Sequence, residues 1–166
     1  HALTLSETVE NSSENVVLST DRLEEEMAAR LITAARAIAW MDSVRPMSEE
    51  QLRSFAQRNG IFRVNILERT GTMVLSNHPE LRIGMPGTMG MNRGGAPEFL
   101  QPILNGTEDS IIIGIRSARN GSGERFAVAV RRTRIGGGAV IVNMEAARLQ
   151  EFRRTSAKHG GSMLQA

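Results

Sequence analysis

Residues 16–41 read VVLSTDRLEEEMAARLITAARAIAWM, and this stretch decides the fold. Apolar or small side chains recur in it every three or four residues, at Val16, Thr20, Leu23, Met27, Leu31, Ala34, Ile38 and Met41. This spacing predicts one side of an α-helix, and the stripe spans about 40 Å at a rise of about 1.5 Å per residue. The near-heptad repeat leaves two uses open: parallel pairing with a second copy of the chain, or packing across the chain's own sheet.

The residues after the stripe predict where the long helix ends and a second helix begins. Pro46 ends the long helix, because the residue before a proline avoids the α region. The segment Ser48–Gln51 has the pattern of a capping box, which starts a short second helix. Asn59-Gly60 then ends that helix through a left-handed cap. Trp40 lies one position from the stripe and is predicted to be an anchor in the core or in a dimer interface.

From residue 61 the hydrophobic period changes to two, which predicts β-strands. We expect strands at 61–68, 72–76, 110–116, 125–133 and 138–144, a short helix at 97–104, and a helix from residue 145 onward. The sequence therefore predicts an α+β fold. A long N-terminal helix packs on a five-stranded antiparallel sheet, and a C-terminal exit helix follows.

The composition excludes several classes of protein. With 166 residues, 40% of them hydrophobic, the chain is expected to form one domain with its own core. The net charge is only +2 and the 19 arginines are scattered, so nucleic-acid binding is not expected. The sequence contains no cysteine and no run of 18 apolar residues that could span a bilayer, and we expect no signal peptide in it.

Motifs of catalysis and cofactor binding are not found. His1, His78 and His159 lack metal-ligand spacing, so we expect no metal site. Gly136–Gly138 lies between predicted strands, whereas a dinucleotide site requires glycines that open a helix. Neither a Walker lysine nor a G-x-S-x-G motif occurs. We therefore expect a domain without enzyme activity and without a cofactor.

Alternate side chains give the predicted sheet two different faces. The apolar face, expected to pack on the long helix, consists of Phe62, Val64, Ile66, Ile111, Ile113, Ile115, Phe126, Val128, Val130, Val140, Val142 and Met144. The opposite face mixes small and polar residues, namely Asn65, Gly114, Arg116, Ala129, Arg131 and Asn143. The glycine-rich segment 84–95 is expected to lie over this second face. Such residues fit a ligand pocket and equally fit a solvated sheet face, and both interpretations stay open here.

Arginines that converge on one face favour an anionic ligand, because a guanidinium binds a carboxylate through two parallel hydrogen bonds. Our hypothesis is a small carboxylate held by Arg116 or Arg131, with Asn65 or Asn143 bonded to the rest of the ligand. The full predicted site consists of Asn65, His78, Arg93, Arg116, Ala129, Arg131 and Asn143.

Four stretches of the chain together resemble the single Cache domains, the PAS-like extracytoplasmic sensors of bacterial histidine kinases and chemoreceptors. They are RNGIFRVNILERTGTMVLSN at 58–77, EFLQPILNGTEDS at 98–110, RFAVAVRR at 125–132 and GGAVIVNMEAARL at 137–149. The resemblance covers about residues 15–155 and lies in strand pattern and hairpin placement. It implies a PAS-like sheet, ligand sensing outside the membrane, and terminal helices that are coupled to transmembrane helices.

The expected function follows from this resemblance: the periplasmic sensor domain of a bacterial inner-membrane receptor, with a histidine kinase favoured over a chemoreceptor. The expected segments are a membrane-proximal or dimer-forming helix at 1–47, a sensor core at 48–144 and the exit helix at 145–166. The expected partners are a small anionic ligand and a second copy of the chain, paired through the long helix. The alternative is a cytosolic PAS-like or profilin-like interaction domain without a small ligand, which a filled sheet face would favour.

Overall fold

The computed structural model describes residues 2–79, 97–117 and 123–148, with the side chains of the first helix described from Arg22 onward. Helix α1 spans Ala2–Val44, α2 spans Glu49–Arg58, and a 3₁₀ turn at Glu98–Leu100 leads into α3 at Gln101–Leu104. The strands are β1 (Arg63–Leu67), β2 (Met73–Ser76), β3 (Ser110–Ser117), β4 (Glu124–Arg131) and β5 (Ala139–Glu145). Residues 146–148 are helical, at the predicted start of the exit helix. The predicted α+β architecture is confirmed.

All five strands form one antiparallel sheet, in the order β2-β1-β5-β4-β3. The central strand is β5, where Val142 lies opposite Val64 of β1 on one side and Val128 of β4 on the other. Since β5 is the last of the described strands, the hairpins β1–β2 and β3–β4 join into one sheet only when β5 lies between them.

One face of the sheet packs on α1, as the sequence predicts, and also on α2. Met27, Leu31 and Ile38 of the helix stripe are buried there. Their neighbours on the sheet are Val64, Ile66, Phe126, Val128, Val130, Val140, Val142 and Met144. Burying one side chain of this size stabilises the fold by about 1.5–3 kcal/mol. Between Met27 and Ile38 the apolar stripe of α1 therefore packs on the chain's own sheet.

The opposite face is partly covered by the 3₁₀ turn and α3. Leu100 and Ile103 are fully buried in a second core with Ala129 and Ile141 of the sheet. Because the side chain of Ala129 is small, the helical segment can lie close to β4. This part of the face is therefore filled by the protein itself.

The face predicted for the first half of β3 is wrong. The sequence places Ile111, Ile113 and Ile115 toward α1, but Ile111 and Ile113 contact the second core. Ile115 lies opposite Phe126, on the predicted side, and is 46% exposed. The pairing with β4 shifts register between Ile112 and Gly114, and such a bulge changes the direction of the side chains that follow it.

Two aromatic residues also differ from their predicted places. The Trp40 side chain is 66% exposed, so its predicted role in the core is wrong. Phe62 precedes β1, and its ring stacks on His78 at a centroid distance of 5.2 Å.

The ends of α2 follow the predicted capping chemistry. The Ser48 Oγ accepts a hydrogen bond from the Gln51 amide at 3.2 Å, and the Ser48 amide donates to the Gln51 Oε1 at 2.9 Å. At the other end Gly60 has a φ of +67°, and the Ile61 amide reaches back to the Ala56 carbonyl at 2.9 Å. This is the Schellman arrangement, which satisfies a carbonyl at the end of the helix.

A group of charged residues joins the end of α1 to the connection between β4 and β5. Arg132 donates to both carboxylate oxygens of the buried Asp42, at 2.8 and 3.3 Å. Arg134 donates to the Asp42 carbonyl at 3.1 Å, and the Thr133 hydroxyl donates to the Ala39 carbonyl at 3.3 Å. We call Asp42, Arg132 and Arg134 the Asp42 clamp.

No helix among the described residues combines the length and hydropathy of a membrane span. Arg93, segment 84–95 and the exit helix beyond residue 148 lie outside the described residues. The predicted segment boundaries at 47 and 144 stay predictions.

Candidate ligand site on the sheet

Polar side chains gather at one end of the sheet face that lies opposite α1. Arg63 of β1 is paired with Asn143 of β5, which is paired in turn with Ala127 of β4, and Gly114 of β3 completes the row. Directly opposed residues in a sheet point to the same face, so these four positions form one line across four strands. A Cβ added at Gly114 would meet no atom of the described residues within 4 Å. The row therefore runs from two polar side chains on β1 and β5 to two small residues on β4 and β3.

The polar side chains at this end of the sheet face are buried. Arg63, Asn65 and Asn143 are exposed by only 8%, 2% and 9%. The Arg63 Nε donates to the Asn65 Oδ1 at 3.1 Å. The Asn143 Oδ1 is buried, and it has no hydrogen-bond partner among the described residues. A buried amide oxygen without a partner is unfavourable by about 1–3 kcal/mol. This oxygen is therefore a position to which a bound ligand could donate a hydrogen bond.

The edge of this polar group is fixed by Ser76, the last residue of β2, and by Asn77, which follows it. The Asn77 Oδ1 accepts from the Val64 amide at 2.8 Å, while its Nδ2 donates to the Phe62 carbonyl at 3.1 Å. The Ser76 Oγ accepts from the His78 amide at 3.1 Å. Both Ser76 and Asn77 are buried, so they hold the start of β1 and the backbone of His78 in place.

Aromatic rings and arginines form the rim of the same region. The Arg125 guanidinium lies 4.0 Å from the centre of the Phe62 ring, on which His78 also stacks. The Arg116 guanidinium lies 4.2 Å from the centre of the Phe99 ring. A cation over an aromatic face is stabilised by about 0.5–1 kcal/mol at exposed sites, so these contacts orient two arginines at the surface. We call Arg63, Asn65, Ser76, Asn77 and Asn143, with this rim, the polar end of the sheet.

The structure brings some of the predicted site residues together and separates others. Asn65, Asn143 and His78 belong to the polar end, and Arg116 lies on its rim. Ala129 lies in the second core under α3. Arg131 is four residues beyond Ala127 on β4, about 13 Å away at 3.3 Å per residue.

Arg131 contacts a different partner at the far end of the face. Its Nη2 lies 3.3 Å from the Asp109 Oδ1, and both side chains are largely exposed, at 46% and 72%. Of the two arginines predicted to hold the carboxylate, only Arg116 lies near Asn65 and Asn143. Arg131 belongs to another part of the surface.

Sequence reasoning did not select Arg63, Ser76 or Asn77. Arg63 precedes Asn65 by two residues in β1, so it occupies the same face, and this alternation was a usable signal. Ser76 is the last residue of the edge strand β2 and Asn77 follows it, at a strand end where serine and asparagine are common in turns. No sequence signal distinguishes their buried positions from such a turn.

Comparison with known proteins supports the fold. No protein-family profile and no curated protein sequence matches the chain. Among solved structures, the E. coli DcuS sensor domain matches with 12% identity over 78% of this chain and 96% of its own, at a TM-score of 0.53. The extracellular domain of the putative histidine kinase rpHK1S-Z16 matches with 17% identity over 89% of this chain and 62% of its own, at a TM-score of 0.57.

A chemoreceptor domain is also similar. The ligand-binding domain of the Pseudomonas aeruginosa PAO1 amino acid chemoreceptor PctC, solved in complex with GABA, has 16% identity and a TM-score of 0.54. The match covers 85% of this chain and 66% of PctC. At these identities the likeness concerns the fold. The chain has the PAS-like fold of the Cache-type extracytoplasmic sensor domains, as the sequence resemblance predicted.

Proposed function

We propose that this domain is the extracytoplasmic ligand-binding sensor of a bacterial membrane receptor, and that it binds a small carboxylate at the polar end of the sheet. The observation that supports a ligand here is the Asn143 Oδ1, which is buried and has no hydrogen-bond partner among the described residues. This oxygen is an acceptor and fits a hydroxyl or ammonium group of the ligand. Asn143 lies directly opposite the buried Arg63, whose charge fits a carboxylate.

The chemistry of the described side chains favours an anion. The buried polar residues at this end are arginine, asparagine and serine, and none of those described is a carboxylate. Arg116 and Arg125 add positive charge at the rim. The amide of Asn143 can donate through Nδ2 to a carboxylate oxygen, or accept at Oδ1 from a hydroxyl or ammonium group. GABA, bound by PctC, carries both a carboxylate and an ammonium group, so amino acids belong in the test set.

The receptor to which the domain belongs is a further part of this proposal. We favour a histidine kinase over a chemoreceptor, as the sequence resemblance does, and a periplasmic position for the domain. The structural relatives include domains of both receptor types, which supports the shared sensor role. A second copy of the chain is the proposed partner of α1.

The test is a thermal-shift screen of the purified domain with short mono- and dicarboxylates and with amino acids. A ligand that binds only the folded state raises Tm, since it stabilises by about 2.7 kcal/mol at one hundred times its Kd. Asn143→Ala and Arg116→Gln should each weaken the affinity for the best ligand about tenfold or more, because each loses a hydrogen bond to a charged group. Isothermal titration calorimetry measures this loss.

Arg53→Gln is the matched control, because Arg53 is a half-exposed arginine of α2 paired with Glu49. This variant should bind the ligand as the unaltered chain does. Arg131→Gln discriminates between the two ends of the face, and the geometry predicts no loss of affinity for it. If no carboxylate or amino acid raises Tm, or if Asn143→Ala binds with unchanged affinity, the proposed site is wrong. Absence of any ligand would favour the interaction domain, which the filled half of the face under α3 also suits.

A further inference from the structure

A second polar region lies at the other end of the same sheet face. It is a cleft of about 480 Å³ between the β1–β2 turn, the end of α3 and the connection from β4 to β5. Four arginines line it: Arg69, Arg131, Arg132 and Arg134. We call this region the arginine cleft.

Positive charge exceeds negative charge among the described residues of the cleft. Asp42 forms ion pairs with Arg132 and Arg134, and Asp109 forms one with Arg131. The region therefore has two negative charges and four positive charges. Arg69 makes no ion pair with any described residue. Asp109 is 72% exposed, and exposed ion pairs contribute only about 0–1 kcal/mol, so a competing anion can displace it from Arg131 at small cost.

Two of the four arginines in the cleft are held in place before any ligand binds. The buried carboxylate of Asp42 holds Arg132 and Arg134 in place, which reduces the entropy lost when these groups bind an anion. Gly136 and Gly137 also line the cleft, and an added Cβ at either would meet no atom of the described residues within 4 Å. Four arginines around such a cleft, two of them held in place, are suited to an oxyanion with several oxygens.

We propose that the arginine cleft is a second anion site, separate from the polar end of the sheet, which binds a small multivalent oxyanion such as phosphate or a polycarboxylate. Arg69 and Arg131 contact the anion directly. Arg134, which Asp42 holds in place, adds positive charge to the side of the cleft. The site does not depend on the carboxylate proposed for the polar end, because the two regions share no lining residue described here.

The test uses two-dimensional ¹H–¹⁵N NMR of the domain, titrated with inorganic phosphate and separately with citrate at constant ionic strength set by NaCl. The amide signals of Gly136, Gly137 and Gly138 should shift and saturate at millimolar anion. Arg69→Gln and Arg131→Gln should each weaken this binding about tenfold, because each removes a charge-assisted hydrogen bond. Both side chains lie at the surface, so circular dichroism should show that the variants remain folded.

The matched control is Arg53→Gln on α2, which changes the net charge equally at a distance from the cleft and should bind phosphate as the unaltered chain does. Saturation by phosphate but not citrate, or the reverse, identifies the class of oxyanion and supports the site. Shifts that do not saturate, or that are equal in Arg69→Gln, Arg131→Gln and Arg53→Gln, overturn the proposal. A carboxylate screen in which no ligand raises Tm would not change these NMR results. Each of the two proposals can therefore be refuted without the other.

Discussion

At Gly138 the chain enters β5 with a φ of +125°, and a Cβ built there falls directly on the carbonyl of Leu67 in β1. Gly137, one residue earlier, also has a positive φ, of +74°, but its Cβ would meet no atom of the described residues within 4 Å. The two neighbouring glycines therefore separate two effects of a side chain, namely backbone strain alone and strain combined with a collision against backbone.

Gly138→Ala should lower the free energy of unfolding by about 3 kcal/mol or more, because the backbone of β1 has to move away from β5. Gly137→Ala should lower it by only about 1–2 kcal/mol, the cost of a left-handed conformation for an L-residue. Urea unfolding of both variants measures the difference. Equal values for the two would show that β1 and β5 do not approach as closely as described.

Single residues of the candidate site could be predicted from the sequence only in part. Asn65 and Asn143 were selected because alternation places them opposite the apolar face, and the structure brings them into neighbouring strands. Arg131 satisfies the same alternation, yet it lies at the far end of the face. Alternation identifies the face of a residue, but it does not show which part of that face α3 covers.

Among the elements, α1 is joined to the sheet by polar contacts as well as by its apolar stripe. Asp42 is only 3% exposed, and it accepts from Arg132, whose side chain is 12% exposed. A buried carboxylate of this kind is stable because two guanidiniums compensate its charge. The Asp42 clamp therefore fixes the last turn of α1 against the β4–β5 connection.

Asp42→Asn should destabilise the domain by about 2–4 kcal/mol, since it leaves two partly buried guanidiniums without their counter-charge. Glu49→Gln, which breaks the exposed pair with Arg53 on α2, is the comparison and should change stability by less than about 1 kcal/mol. Chemical denaturation at several salt concentrations gives both values. Equal effects of the two substitutions would contradict the structural role of the clamp.

The order and type of the elements could be predicted well, because helix period, strand period and cap residues agree with one another along most of the chain. The capping box at Ser48 and the Gly60 cap are examples in which local chemistry alone was sufficient. The bulge in β3 was not predictable, since the run from Ile111 to Ile113 is apolar throughout and contains no alternation that could reveal a shift. Register there is determined by pairing with β4.

Across the whole molecule, the sheet separates two apolar cores. Ile38 belongs to the core under α1, and Ile103 belongs to the core under α3, and both side chains are fully buried. Since the two clusters have no member in common, their contributions to stability should be independent.

Ile38→Val and Ile103→Val should each destabilise the domain by about 0.5–1.5 kcal/mol, the usual effect of removing one buried methylene. The double variant should show the sum of the two within about 0.5 kcal/mol. Denaturant unfolding of the unaltered chain, the two single variants and the double variant measures the interaction energy between the two positions. A larger interaction energy would mean that the two cores are coupled through the sheet.

The proposed homodimer is also a property of the whole molecule. The stripe is buried from Met27 to Ile38, so pairing through this part of α1 requires another side of the helix, where Trp40 and Val44 are 66% and 70% exposed. Trp40→Ala should weaken self-association in sedimentation velocity while it changes the free energy of unfolding by no more than about 0.5 kcal/mol. A domain that is monomeric at every concentration tested would contradict the dimer.

Helix α1 has 43 residues, and it is anchored by the clamp two residues before its last residue, Val44. At 1.5 Å per residue it is about 65 Å long, so a tilt of one degree about that anchored end displaces the opposite end by about 1 Å. Met27, Leu31 and Ile38 of this helix are also buried against the sheet, so a tilt of α1 moves the packed stripe together with the clamp. A movement of the sheet is therefore transmitted along the helix to its far end.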